Sequence, residues 1–513
     1  MTRGAVAAGS ALTVSAGLAA LESGGNAADA AIAASLMACV AEPLLTGLGG
    51  AGLAMVRMDG EVEVLDLFAD LPGRATPEAA SGPMDVIEID FGPTTQIFHV
   101  GQASVAVPGV PRGLAALHER HGTLPMATLA APAIAAAHEG VPVSASFERV
   151  LELLWPIVRL DPASAARFSP AGRPLTRGET FRWPELGETI REFADAGPSL
   201  FHDGALTQPI LDALGRSSRL GRGDLEAYAP RFSKPLRYQY RDATVWVPGP
   251  PSVAGLLILQ ALRTLEDHGP MPEPMGAAQL RYLEHAMRRV DHTRRTGARQ
   301  HLFAPGFVEG FLAAVAPDEV GEERVMTGRR PPSTGHTTHI SVVDAAGNAV
   351  GITTSLGETS GTTVPAAGLL LNNFLGESDV HPEDVDIQPG ERLMTMCCPT
   401  IVELGGDVFV MGSGGSSRIR SAVLHGIVYL TDHGMSPAQA VRAPRAHVED
   451  GVLLFETDNR PPGTASAVRA HTQGVREFSG MNMFFGGLHM VGVGPGGFSG
   501  AGDHRRSGAY GST

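Results

Sequence analysis

Apolar and polar positions alternate most regularly around residues 337–357. The runs THISVV (338–343) and AVGITT (349–354) are rich in β-branched residues and flank the loop DAAGN (344–348), so the pattern predicts a β-hairpin. The segment before it, RRPPSTG (329–335), can continue neither a helix nor a ladder. Thr337 therefore sits where a loosely held linker, including residues 303–330, meets the first residue of a strand expected to be central.

Elsewhere the pattern divides cleanly. LAMVRMDGEVEVLDLF (53–68) alternates as a second hairpin, and residues 236–247 read as one strand. Helical spacing of apolar residues marks 27–42, most of 108–228, 252–267 and 436–443. Residues 277–295 also read as a helix, basic and solvated on one face. VFVMGSGGSSRIRSAV (408–423) reads as strand, Gly/Ser loop, helix, and the tail GDHRRSGAYGST as partly mobile.

Composition narrows the function classes. A net charge of −15 on 513 residues argues against nucleic acid or an anionic membrane as partner. Three cysteines, two of them the neighbours Cys397 and Cys398, form no disulfide framework. No Cys/His spacing suggests zinc, and His118 and His121 are too close for a zincin helix. Gly47, Gly49 and Gly52 match a dinucleotide fingerprint, but a hairpin comes where a helix is required, so they read as a turn beneath the active-site sheet. The first twenty residues are rich in small side chains but lack the dense apolar block of a signal peptide, and a cytoplasmic location is expected. No apolar run reaches the roughly 20 residues that span a bilayer.

The chemistry centres on Thr337. A threonine at a strand start is commonly structural. If the chain cut itself between His336 and Thr337, however, that residue would carry a hydroxyl and a free α-amine able to act as its base. The loop GSGGSSRI (412–419) entering a helix offers backbone N–H groups suited to an oxyanion.

TTHISVVD, GNAV, LLLNN, PTIVE and GSGGSSRI, in that order, resemble the γ-glutamyltranspeptidase (glutathione hydrolase) family of self-cleaving N-terminal-nucleophile hydrolases. Upstream, GGNAADAA, GLGGAG, VPGVPRGL, HGTLP, DLEAY and PGPPSVAG extend the resemblance over nearly the whole chain. It implies a four-layer αββα sandwich built from two interleaved segments, 1–336 and 337–513, that stay associated after cleavage. The first twenty residues become its first strand and helix. It also implies Thr337 as nucleophile, Ser355 as its supporting hydroxyl, and the N–H groups of Gly415 and Ser416 as oxyanion donors. No metal or organic cofactor is implied, and the substrate is a small amide.

The chain departs from the family where the glutamyl amino acid binds. The clamp arginine falls on Phe68, an asparagine on Gly357, a polar residue on Phe374 and an aspartate on Glu377. Thr395 keeps one hydroxyl of a serine pair, and Met396 replaces the other. Arg74 and Arg392 are candidates to compensate. Three readings stay open: γ-glutamyl hydrolysis with a rearranged clamp, amide hydrolysis of another acyl group, and an unprocessed binding scaffold.

Overall fold

The computed structural model describes residues 3–74, 82–90, 95–295, 336–382, 385–472 and 474–513, so the expectation for residues 303–330 lies outside them. Thirteen strands build two stacked sheets. In chain order they are β1 (Gly4–Ala8), β2 (Ala51–Met58), β3 (Glu61–Leu67), β4 (Arg231–Ser233), β5 (Leu236–Tyr240), β6 (Ala243–Val247), β7 (His336–Asp344), β8 (Ala349–Gly357), β9 (Thr400–Leu404), β10 (Asp407–Gly414), β11 (Gly487–Gly494), β12 (Gly497–Ala501) and β13 (Ala509–Ser512). One sheet runs β13-β1-β7-β8-β2-β3-β4 and the other β12-β11-β10-β9-β6-β5, both antiparallel throughout.

Strand alternation sorts residues into layers. Val6, Ile340, Val342, Val350 and Ile352 face helices α1 (Ala11–Glu22) and α2 (Ala27–Ala41). Their neighbours Ala5, Ala7, Val343 and Ala349 meet Ile401, Val410 and Val491 of the second sheet. Outside that sheet pack α3 (Val253–Asp267), α4 (Ala277–Arg295) and α5 (Arg418–Thr431). The result is the expected αββα sandwich, with β1 and α1 formed by the first residues. Helix α2 is buried on every side, which its run of alanines permits, and Asn26 caps it with a reciprocal Asp29 bond.

Three expectations are corrected. Residues 236–247 form two strands with a turn at Arg241, whose φ is +52°. The tail is not mobile: β13 pairs with β1, the Thr513 N–H donates to Gly4 O at 3.0 Å, and Asp503, Arg505 and Arg506 are buried. Helix α4 is not simply solvated on its basic face, because Arg294 is buried on Asp379 at 2.9 Å and Glu449 at 3.3 Å.

Candidate active site

Thr337, the second residue of β7, pairs with Ser355 of β8, with an irregularity in the ladder between His336 and Thr337. By alternation Thr338 faces the helices, where Glu42 accepts its hydroxyl at 2.6 Å and that of Thr13 at 2.8 Å. Thr337 faces the second sheet. There Gly414 of β10 passes so close that a Cβ would lie 1.9 Å from the Thr337 carbonyl oxygen, so only glycine lets the sheets meet at this point.

The Ser355 hydroxyl is fully used. It accepts from Thr337 Oγ1 at 3.2 Å and from the Gly357 N–H at 2.9 Å, and donates to the His336 carbonyl oxygen at 2.8 Å. In the uncut chain, then, one serine touches both the hydroxyl that would attack and the carbonyl it would attack. This arrangement can relay the Thr337 proton toward the developing oxyanion and stabilise that charge. His336 is buried, and burial beside Arg506 and Arg418 pushes its imidazole down to about 3, so the ring is neutral at ordinary pH.

Beyond β10 the chain turns through Gly415 (φ +121°) and Ser416 (φ +48°) into α5. A serine in the left-handed region is strained, a cost on the order of 1 kcal/mol that such loops carry to aim backbone groups. The Ser416 hydroxyl donates to Asp379 at 3.4 Å.

Thr337, Ser355 and Ser416 line one recess together with Phe68, Phe374, Glu377 and Thr395. The Phe68 and Phe374 rings lie 5.0 Å apart, both fully buried. Gly357 adjoins the recess. A Cβ there would fall 2.0 Å from Asn373 Oδ1 and 2.1 Å from Glu377 Oε1, and φ is +69°. That geometry explains why an asparagine is not accommodated here. The Thr395 hydroxyl accepts the Cys397 N–H at 3.0 Å.

Neither candidate arginine compensates. Arg392 is held by Asp66 at 2.9 Å, Asp70 at 2.9 Å and the carbonyls of Phe68 and Ala229, and stacks on Tyr228. Arg74 donates to Gly390 O at 2.8 Å and lies 3.7 Å from Asp70.

Acids gather here instead: Glu377 and Asp379 line the recess, and Glu358 lies close to Glu377. Glu358 is fully buried next to Gly357, and burial raises its carboxyl well above the usual range. Glu377 is raised by burial and by the nearby Glu358 and Asp379. One oxygen of Glu358 and one of Glu377 lack a hydrogen-bond partner.

The gamma-glutamyltranspeptidase model matches residues 13–513. The chain belongs to this family. The acylase ACY 1 proenzyme of Pseudomonas sp. (strain SE83) is 31% identical over 502 residues, 94% of this chain and 89% of that protein. The glutathione hydrolase proenzyme of Escherichia coli (strain K12) is 28% identical over 479 residues, 87% and 81% of the two chains. The crystal structure of cephalosporin acylase from Bacillus halodurans superposes with a TM-score of 0.81 over 99% of this chain and 96% of that one, at 23% identity, and so shares the fold. The protein is accordingly an enzyme of the N-terminal-nucleophile hydrolase fold, whose curated relatives are proenzymes.

Among the residues expected in the site, the structure gathers Thr337, Ser355, Ser416, Phe68, Phe374, Glu377 and Thr395 on one recess, with Gly357 and Gly415 adjoining. Sequence reasoning missed Glu358, Asp379, Arg418 and Arg506. The signals were present: a lone acid in SLGETSG, a second acid after Glu377, and paired arginines in a tail that reads as partly mobile.

Proposed function

We propose that this chain is a self-processing amidohydrolase that cuts itself between His336 and Thr337. The segments 1–336 and 337–513 then act together on an acyl amide lacking a free α-carboxylate. The observation that carries the acyl reading is the recess wall. Where a γ-glutamyl clamp needs a guanidinium, two phenylalanine rings pack at a tilt, and both nearby arginines are committed to Asp66 and Asp70. A bidentate arginine contact has no aromatic substitute. The similarity to an acylase proenzyme over 94% of the chain supports the same reading.

In maturation, Thr337 Oγ attacks the His336 carbonyl carbon while the proton passes through Ser355. The C–N bond then breaks as that proton passes on to the Thr337 nitrogen, leaving the amine free and an ester that water hydrolyses. In turnover that amine takes the Thr337 hydroxyl proton. The acyl group transfers to Oγ with the oxyanion held at Gly415 and Ser416, the protonated amine leaves, and water releases the acid.

A γ-glutamyl substrate is the second reading, favoured by Glu377, whose carboxyl faces the recess and suits an α-amine. The test compares γ-glutamyl, glutaryl and pentanoyl 4-nitroanilides on processed enzyme. We expect the pentanoyl compound, which has no carboxylate at its far end, to be turned over at least as fast as the γ-glutamyl one, with the glutaryl compound reporting the amine's contribution alone. A strong γ-glutamyl preference overturns the acyl reading, and a single uncut band with no turnover overturns both.

A further inference from the structure

The loop that carries Gly415 and Ser416 from β10 into α5 stands on buried charge. Asp379 lines the recess with Thr337 and Ser416, and its two oxygens have different partners. Oδ2 accepts the Ser416 hydroxyl at 3.4 Å, and Oδ1 pairs with Arg294 at 2.9 Å. Arg294 extends the cluster to Glu449 at 3.3 Å and Asp291 at 3.5 Å. The first turn of α5 is tied to the same acids. Arg420 lies 3.5 Å from Asp291, and Arg418 lies 3.9 Å from Glu449.

A buried ion is stable only where it is paired. Burial by itself would lower Arg294, yet Asp379, Glu449 and Asp291 hold its guanidinium charged. Glu358 and Glu377, the neighbouring carboxyls, are raised by burial and so favour their neutral forms. Asp379 is the acid at the recess that a guanidinium grips from behind, and an acceptor so fixed holds its own donor in place. Asp291 and Arg294 belong to α4, in segment 1–336, whereas Asp379, Ser416 and Glu449 belong to segment 337–513. None of these bonds uses an atom that a cut between His336 and Thr337 alters.

Ser416 needs such a hold. Its φ of +48° lies in the left-handed region, which a Cβ disfavours and which glycine enters freely. Gly415, at +121°, requires no help. A return of Ser416 to negative φ would re-aim the peptide units on either side of it, and with them the N–H groups that the oxyanion needs.

We propose that Asp379, fixed by Arg294, is the positioning residue of the oxyanion loop: through the Ser416 hydroxyl it keeps the Gly415 and Ser416 N–H groups aimed. This role rests on the amidohydrolase reading and deepens it, because it gives α4 of segment 1–336 a part in the chemistry of segment 337–513 after cleavage.

The test is a mutant cycle on processed enzyme with pentanoyl 4-nitroanilide: wild type, Asp379→Ala, Ser416→Gly and the double variant. We expect Asp379→Ala to lower kcat at least about ten-fold, short of the roughly 100- to 1000-fold of a deleted donor, with KM nearly unchanged. In the Ser416→Gly background, whatever its own rate, the same change should cost less than about three-fold, because glycine holds the turn without a tether. Arg294→Gln should follow Asp379→Ala in direction, and Arg294→Lys should recover part of the loss. An equal loss in both backgrounds overturns the proposal. So does a loss confined to KM, which would make Asp379 a substrate contact. If Asp379→Ala stays uncut, Ser416→Ala and Ser416→Gly decide, since neither disturbs a buried charge. Alanine keeps the strain without the tether and should fall at least about ten-fold below glycine in kcat; equal rates overturn the proposal. If processed wild type turns over no anilide, the amidohydrolase reading falls, and amide exchange across residues 414–418 still decides the tether. Exchange should be at least about ten-fold faster in Asp379→Ala than in wild type, and unchanged exchange overturns the proposal.

Discussion

The two sides of the recess are built on opposite principles. At the end of β7 and β8 the recess-facing hydroxyls of Thr337 and Ser355 have partners, and on the helix-facing side of the same strands so do those of Thr338 and Thr354 and both oxygens of Glu42. On the facing wall two aromatic rings pack at a tilt where the resemblance places polar contacts, and Glu377 in that wall and its neighbour Glu358 each keep a buried oxygen unbonded. A saturated network fixes geometry and tolerates little change, because each deletion strands a buried partner. An unsatisfied wall fixes little and can be rebuilt. Retained chemistry with altered specificity is what that division permits.

The harshest test of the saturated side is Thr337→Ala. We expect no self-cleavage and no turnover, read as one full-length band and baseline anilide hydrolysis, whereas Thr337→Ser should still cut. Normal processing of the alanine variant would remove Thr337 from the centre of this scheme. Next comes Ser355→Ala, which deletes the serine's hydrogen bond to the His336 carbonyl oxygen and strands the Gly357 N–H. Loss of one oxyanion donor costs about 100- to 1000-fold, so the half-time of maturation should lengthen by that factor. Unchanged maturation kinetics would show that the serine is only a strand residue.

On the open side, Gly357→Asn restores the residue that the resemblance expects. We expect a loss of about 1–3 kcal/mol in denaturant unfolding and no gain in γ-glutamyl turnover, since a Cβ at φ +69° collides with Asn373 and Glu377. A stable variant with improved γ-glutamyl turnover would mean that the wall had adapted less than the geometry indicates.

How far the sequence reveals all this depends on the range of the interactions. The hairpin 337–357 is legible because its alternation and its loop are local, and the structure places its turn at the expected residues. The turn at Arg241 is hidden because it holds no glycine or asparagine. It is held from afar, by Asp432 at 3.2 Å to Arg241 Nε. The tail reads as partly mobile because small and charged residues dominate it, yet Arg505 is buried on Glu456, 49 positions earlier. Glu358 and Arg506 were invisible as site residues for the same reason. What makes them unusual is one buried polar atom without a partner, Oε1 in Glu358 and Nε in Arg506, and only the folded neighbourhood shows that.

The mildest expected effect concerns Glu377→Gln. Burial and the Glu358 and Asp379 carboxyls raise Glu377 well above the usual glutamate range. A carboxyl raised in the folded state holds its proton after the unfolded chain has released it. Its contribution is therefore neutral below about pH 4 and turns unfavourable as pH climbs from the unfolded value toward the folded one. Glutamine removes that penalty. The variant's melting temperature should match the wild type near pH 4 and exceed it by a few degrees near pH 8, with pentanoyl anilide turnover changed less than about three-fold. A gap of opposite sign would mean that Glu377 is charged and favourably paired in the folded enzyme. A large loss of turnover confined to amine-bearing acyl anilides would instead show Glu377 holding an ammonium, and would shift the balance toward a γ-glutamyl substrate.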